Sequence, residues 1–168
     1  AYIFDDTGSI NEIKLGQNAS FIFAICEYLK GNPNDNYYLR FAQKVAEGIL
    51  TMINHNTMKT THVLNYPDLS IKEEYRVIYY DGEAALALLR LHQIDNNKKW
   101  LQTVSLMFDK FINEEYWRYN DHWLGYCAYE LVKFIPEEKY YKFGMMNVAS
   151  NLDYIYHRET TFPTFLET

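Results

Sequence analysis

From Ala84 to Leu91 the chain is almost continuously apolar: Ala84, Ala85, Leu86, Ala87, Leu88, Leu89 and Leu91 leave hardly a polar face. Such a run predicts a helix that is covered on most of its sides. A few residues on, the pattern changes. Trp100, Leu101, Val104, Met107, Phe108 and Phe111 recur at helical spacing, with Lys98, Gln102, Asp109 and Lys110 left for solvent, which marks an amphipathic helix with one face on a core. The polar stretch Asp95-Asn96-Asn97 lies between the two and suits a turn that stops one helix and starts the next. Residues 84–112 therefore predict a helical hairpin with a short loop.

The same plan occurs in residues 19–50 and 123–152, so the chain carries three similar segments. In each, an apolar helix ends at a polar turn with Asn, Asp or Pro, and a second helix begins near an aromatic, Tyr38, Trp100 or Tyr141. The interval from Tyr38 to Trp100 is roughly twenty residues longer than that from Trp100 to Tyr141, which places an insertion near 56–80. His62-Val63-Leu64 and Tyr75-Arg76-Val77-Ile78-Tyr79-Tyr80 are β-prone, and Asn65-Tyr66-Pro67-Asp68 is a turn signal between them. A fourth apolar helix is expected to open after Pro163. The expected fold class is all-α: one domain over residues 1–168, built of repeated antiparallel helical hairpins with inner and outer helices alternating, and with a short β-prone insertion. Hairpins of this kind stack in a line as a solenoid or close into a ring, and the unequal spacing and long inserted loop favour a partial (α/α)-toroid. Because the last predicted helix has barely begun, the chain reads as a fragment of a longer protein.

Composition narrows the classes of partner. Hydrophobic residues make up 48% of 168, enough for a real core, so a disordered chain is excluded. The longest apolar runs, Phe21–Cys26 and Ala84–Leu89, are too short to span a bilayer, and no membrane partner is expected. With a net charge of -6 and no basic run longer than Lys98-Lys99, no nucleic-acid partner is expected either. Cys26 and Cys127 each lie in an apolar stretch and read as small buried hydrophobes.

The stretches YYDGEAALALLRLHQIDNNKKWLQTV, DHWLGYCAYELVKF and HRETTFPTFLET together resemble the six-hairpin glycosidase-like superfamily of (α/α)-toroids. The likeness is one of pattern: an inner helix opening with Gly82-Glu83-Ala84, a short turn, and an outer helix led by an aromatic. Three hairpins and the start of a fourth would be about half of such a ring. The resemblance implies a carbohydrate ligand and a glycoside hydrolase-like activity; polysaccharide lyases and sugar epimerases share the architecture. Neither cysteine has the neighbouring histidine of a zinc-holding toroid, so no metal and no cofactor is expected.

In a ring of antiparallel hairpins all inner helices run the same way, so their N-terminal ends gather at one mouth. Besides Gln17 and Asn18, that mouth would hold Asp81, Glu83 and Asp121 as candidate catalytic acids, with Tyr79, Tyr80, His122, Trp123 and Arg158 as candidate substrate-binding residues. A glycosidase uses two carboxylates about 5 to 10 Å apart, and Asp81 or Glu83 with Asp121 could supply them. His122 could relay a proton, Arg158 could clamp a carboxylate, and the aromatics offer flat faces to a sugar ring. Each has a structural alternative: Asp81 and Asp121 as helix caps, Glu83 as a first-turn acid, Arg158 in an ion pair with Glu159 or Asp153, Trp123 in the core. Acids spent as caps would point instead to a non-catalytic helical domain binding a protein or glycan on its concave face. Open flanks on the first and last hairpins, with Phe21, Phe23, Met145 and Phe165, further imply self-association or association with the remainder of the parent chain.

Overall fold

Short polar side chains set the helix boundaries. Asp35 accepts hydrogen bonds from the backbone N–H groups of Tyr37 and Tyr38 and so separates α1, Leu15–Gly31, from α2, Asn36–Thr51. Asn96, in the left-handed conformation with φ 55°, ends α3, Tyr79–Asp95, by donating its N–H to His92 O. Asn97 then caps α4, Lys98–Asn113, and Asp121 caps α5, His122–Leu131. The computed structural model describes residues 1–7 and 10–157, which also include α6, Glu138–Ala149, and α7, Leu152–His157. The described chain is mostly helical with one small antiparallel sheet. Among the described residues no helix is long and apolar enough to cross a membrane.

Helix α1 packs against α2 and α3, α3 against α4 and α5, and α5 against α6. The middle helix is buried on most sides, with Ala84 through Leu89 at 0% exposure, whereas α4 buries only the stripe Trp100, Val104, Met107, Phe108 and Phe111. Outer helices meet through Ser105 Oγ and Tyr140 Oη at 2.9 Å and through edge-on rings of Phe108, Tyr140 and Phe143.

Helices α1, α3 and α5 run parallel. Gly16 near the start of α1 lies against Tyr80 and Glu83 near the start of α3, and Phe23 further along α1 lies under the Arg90 guanidinium, 5.4 Å away. Likewise Gly82 lies against Asp121 and Trp123, while Arg90 and Gln93 reach Glu130 near the end of α5. These contacts need glycine. A Cβ at Gly82 would stand 2.8 Å from Trp123 Cβ and 3.0 Å from Leu124 N, besides striking the Asp121 carboxylate; one at Gly16 would strike the Glu83 carboxylate and the Tyr80 ring.

The sheet has the order β1, Asp5–Thr7; β2, Ile10–Lys14; β3, Val63–Asn65; β4, Ile71–Glu73. Strand β2 runs directly into α1, and Leu15 N donates to His62 O at 2.9 Å, so the sheet sits at the starting end of α1. The insertion thus holds strands, but not all where the β-prone residues lie. Val63–Asn65 overlaps the first predicted strand; the second is Ile71–Glu73, and Tyr75–Tyr80 instead leads into α3. Two of the tyrosines there pack on a histidine: Tyr75 and Tyr80 lie 5.0 and 5.4 Å from the His62 ring, and Tyr75 stays 60% exposed. Strand β4 is held by charge. Glu12 of β2, 5% exposed, pairs in bidentate fashion with Arg76 at 2.9 and 3.0 Å and with Lys72 of β4 at 2.7 Å.

Of the residues expected to form open flanks, Phe21 packs edge-on against Phe41 and Phe23 stacks on Trp123, so the first hairpin turns both rings inward. Phe165 lies outside the described residues. Met145, 72% exposed, lines a groove of about 650 Å³ between α5 and α6 together with Tyr126, Tyr129, Val132 and Tyr141.

The glycine contacts can be tested by substitution. Gly82→Ala is expected to destabilise the fold by about 1–3 kcal/mol in urea denaturation, as overpacking does. Gly31→Ala, where a Cβ would meet nothing within 4 Å, is expected to cost nothing. Equal midpoints for the two variants would refute the close approach of α3 and α5.

Candidate active site at the inner-helix N-termini

Asp81 lies in the first turn of α3 and is 3% exposed. It does not cap the helix. Its Oδ1 accepts a hydrogen bond from the Thr60 hydroxyl and lies 3.3 Å from His62 Nε2. His62 Nδ1 accepts the backbone N–H of Arg76 at 3.0 Å, so in the neutral ring the proton sits on Nε2 and is donated to Asp81. With His62 only 1% exposed, the three side chains form a buried strap from the β3 segment to α3.

Asp121 is wholly buried. Its Oδ1 accepts the backbone N–H of Trp123 at 3.2 Å and caps α5, while Oδ2 has no hydrogen-bond partner among the described residues and faces Gly82. Burial pushes this carboxyl up to about 7, with the nearby charges of Glu83 and Asp81 adding to the shift and the backbone donors of Trp123 and Leu124 opposing it. Asn147 fixes the cap from behind, donating to Asp121 O at 3.0 Å.

Glu83 differs from both. It is half-buried, and among the described residues no hydrogen bond or ion pair engages its carboxyl. Burial alone pushes it up to about 7. One cause of that burial is the bare Gly16 backbone against which Oε2 rests. Phe23 of α1 and Trp123 of α5 stack at 5.3 Å with planes 9° apart, and both helices flank α3, so the stack crosses the face of α3 that carries Arg90. Residues 83, 87 and 90 share that face by helical spacing.

The other candidates cluster around these acids. Tyr79, 46% exposed, lies 5.6 Å from the His122 ring, which in turn lies 5.0 Å from Trp123. Burial holds His122 below its ordinary value, so it is neutral near pH 7. Tyr80 packs on His62 and against Gly16. Asn18 is spent internally, exchanging hydrogen bonds with the backbone of Ile3 and donating to Lys14 O. Arg158 lies outside the described residues. Thus Tyr79, Tyr80, Asp81, Glu83, Asp121, His122 and Trp123 all stand at the starts of α3 and α5. Sequence reasoning missed Thr60, His62, Tyr75 and Phe23. No spacing motif marks His62, and its role arises only when β3 reaches α3.

The chain matches no protein-family model, no curated protein and no solved structure.

The buried acid at position 121 makes stability depend on pH with a definite sign. An unfolded Asp titrates near 3.9, and Asp121 in the folded chain near about 7. Between those values the folded state holds the extra proton, so stability falls as pH rises through this window and stays lower above it. Asn can still accept the Trp123 N–H but carries no charge. Asp121→Asn is therefore expected to be more stable than the parent at pH 8, by on the order of 2 kcal/mol, and to show no gain at pH 4. Thermal melts across that range check it; a variant weakened equally at both pH values would refute the buried, unpaired oxygen.

Proposed function

We propose that the chain is part of an (α/α)-toroid of the six-hairpin glycosidase-like kind, and that its mouth takes a carbohydrate, with Glu83 as the proton donor of a glycoside hydrolase-like reaction. One observation carries the reading: a half-buried carboxyl with no partner among the described residues, pushed up to about 7, at the gathered starts of parallel helices. Glycosidic cleavage needs a proton on the leaving oxygen, and an acid with a pKa near the working pH is both protonated and able to give the proton up. Tyr79 and Tyr75, 46% and 60% exposed, offer ring faces to the C–H side of a sugar. Asp81 and Asp121 stand behind Glu83, and in this reading they hold the helix starts in place through Thr60, His62 and the cap of α5 rather than touch the sugar. The open groove between α5 and α6 is then the edge on which a further helix pair, from the parent chain or a second copy, closes.

A second reading, a non-catalytic helical domain binding a glycan or protein on its concave face, is favoured by one fact: Asp121 is spent as the cap of α5 and Asp81 on Thr60 and His62. A polysaccharide turnover screen with the parent and Glu83→Gln separates the two. Catalysis by Glu83 predicts a loss of about 10²–10⁴-fold in the variant with its melting temperature at pH 5 nearly unchanged. Binding without turnover in the parent would favour the second reading, and full turnover in Glu83→Gln would remove Glu83 from the chemistry.

A further inference from the structure

His62 is bonded to both of the helices whose starts meet at Glu83. Its backbone carbonyl accepts the N–H of Leu15 at 2.9 Å, and Leu15 is the residue ahead of Gly16 on α1. Its Nε2 lies 3.3 Å from Asp81 Oδ1, and its ring lies 5.4 Å from that of Tyr80, both residues of the first turn of α3. The ring is held from its other nitrogen as well, since Nδ1 accepts the N–H of Arg76 at 3.0 Å, and the residue is 1% exposed. One buried side chain and its carbonyl thus join α1 to α3 at the positions next to Gly16 and Tyr80.

At that junction the Tyr80 ring and the Glu83 carboxyl share one space. A Cβ on Gly16 would strike the carboxyl and would stand 2.5 and 2.6 Å from two ring carbons of Tyr80. Ring edge and carboxyl are therefore neighbours across the bare backbone of α1, and the ring beside Glu83 is the ring that packs on His62. The ionisable groups around Glu83 are Tyr79, Tyr80 and Asp81 on α3, Lys14 at the head of α1, Asp121 and His122 on α5, and His62 itself. Asp121 feels the charge of Glu83, while Glu83 is pushed up to about 7 by burial. Burial at a junction depends on how tightly the junction is drawn, so a residue that draws it acts on the Glu83 proton from a distance.

We propose that His62 is a positioning residue for the proton donor: it clasps the start of α1 to the start of α3 and holds Tyr80 against Glu83, which keeps water from that carboxyl. The functional meaning rests on the reading of Glu83 given above, whereas the clasp itself involves no sugar. Tyr80, a candidate sugar-binding residue by its place in the sequence, then serves as a wall beside the donor. A looser clasp admits water, and the carboxyl ionises at lower pH. The pH above which the donor has lost its proton falls with it.

The test is a ¹³C titration of the Glu83 carboxyl in the intact chain, with no ligand present. His62→Ala removes the ring and its link to Asp81 but keeps the carbonyl that meets Leu15, and the Glu83 midpoint is expected to fall by at least about one pH unit from the parent's. Tyr80→Ala, which removes the ring beside the carboxyl, is expected to lower it as well. Asn97→Ala, which loses the cap of α4, is expected to lower the melting temperature and leave the midpoint where it is. A midpoint unmoved in both His62→Ala and Tyr80→Ala would overturn the clasp and leave the carbohydrate reading intact. An equal fall in Asn97→Ala would also overturn it, because loosening of any kind would then suffice. A parent midpoint near about 4.3 would remove the ground of both. Should His62→Ala not fold, Tyr80→Ala and Asn97→Ala decide between them.

Discussion

The close approach of three parallel helices at Gly16 and Gly82 is the constraint on which the rest depends. With no side chain at those two positions, α3 settles against α1 and α5 settles against α3 near their starts. The carboxyls of Glu83 and Asp121 come to rest where those glycine side chains would be. A carboxylate against backbone has lost water on that side, and among the described residues no Lys or Arg pairs with either acid, so burial pushes both up to about 7. Packing and site chemistry thus have one cause.

The sheet keeps that arrangement in place. Strand β2 feeds α1 and pairs with β3, and the residues just before β3 reach α3 through Thr60, His62 and Asp81. Glu12 then ties β2 to the segment that leads into α3 through Arg76. Its titration opposes that of the buried acids. Arg76 and Lys72 hold Glu12 down to about 2, well below the usual carboxylate range, so its contribution is present above that range and lost as pH falls towards 2. Glu83 and Asp121 act the other way, since each weakens the fold as it ionises above its ordinary range. The molecule therefore has an internal reason to be most stable on the acid side of neutrality.

Much of this was legible in the residues. The unbroken apolar run of α3 and the stripe of α4 are local patterns, and their turn carries its own signal in Asp95, Asn96 and Asn97. The gathering of Asp81, Glu83 and Asp121 followed from supposing that the inner helices run parallel. What stayed hidden was long-range. Strands β1, β2 and β4 are short and largely polar, so no hydrophobic period marks them, and β2 finds its partners β3 and Arg76 far along the chain. Nor could spacing tell which acid keeps a reachable carboxyl. Thr60 and His62 occupy Asp81, and the cap of α5 occupies one oxygen of Asp121; only the folded chain brings those partners in.

Glu83 is where packing and chemistry meet, and its ionisation can be read directly. In a chain labelled with ¹³C at glutamate side-chain carboxyls, with the resonance assigned by its loss in Glu83→Gln, the Glu83 signal is expected to titrate with a midpoint near about 7. A midpoint near the ordinary value of about 4.3 would mean that the carboxyl is freely hydrated. The close-packed helix starts would then not raise Glu83, and the proton-donor role proposed for it would lose its basis.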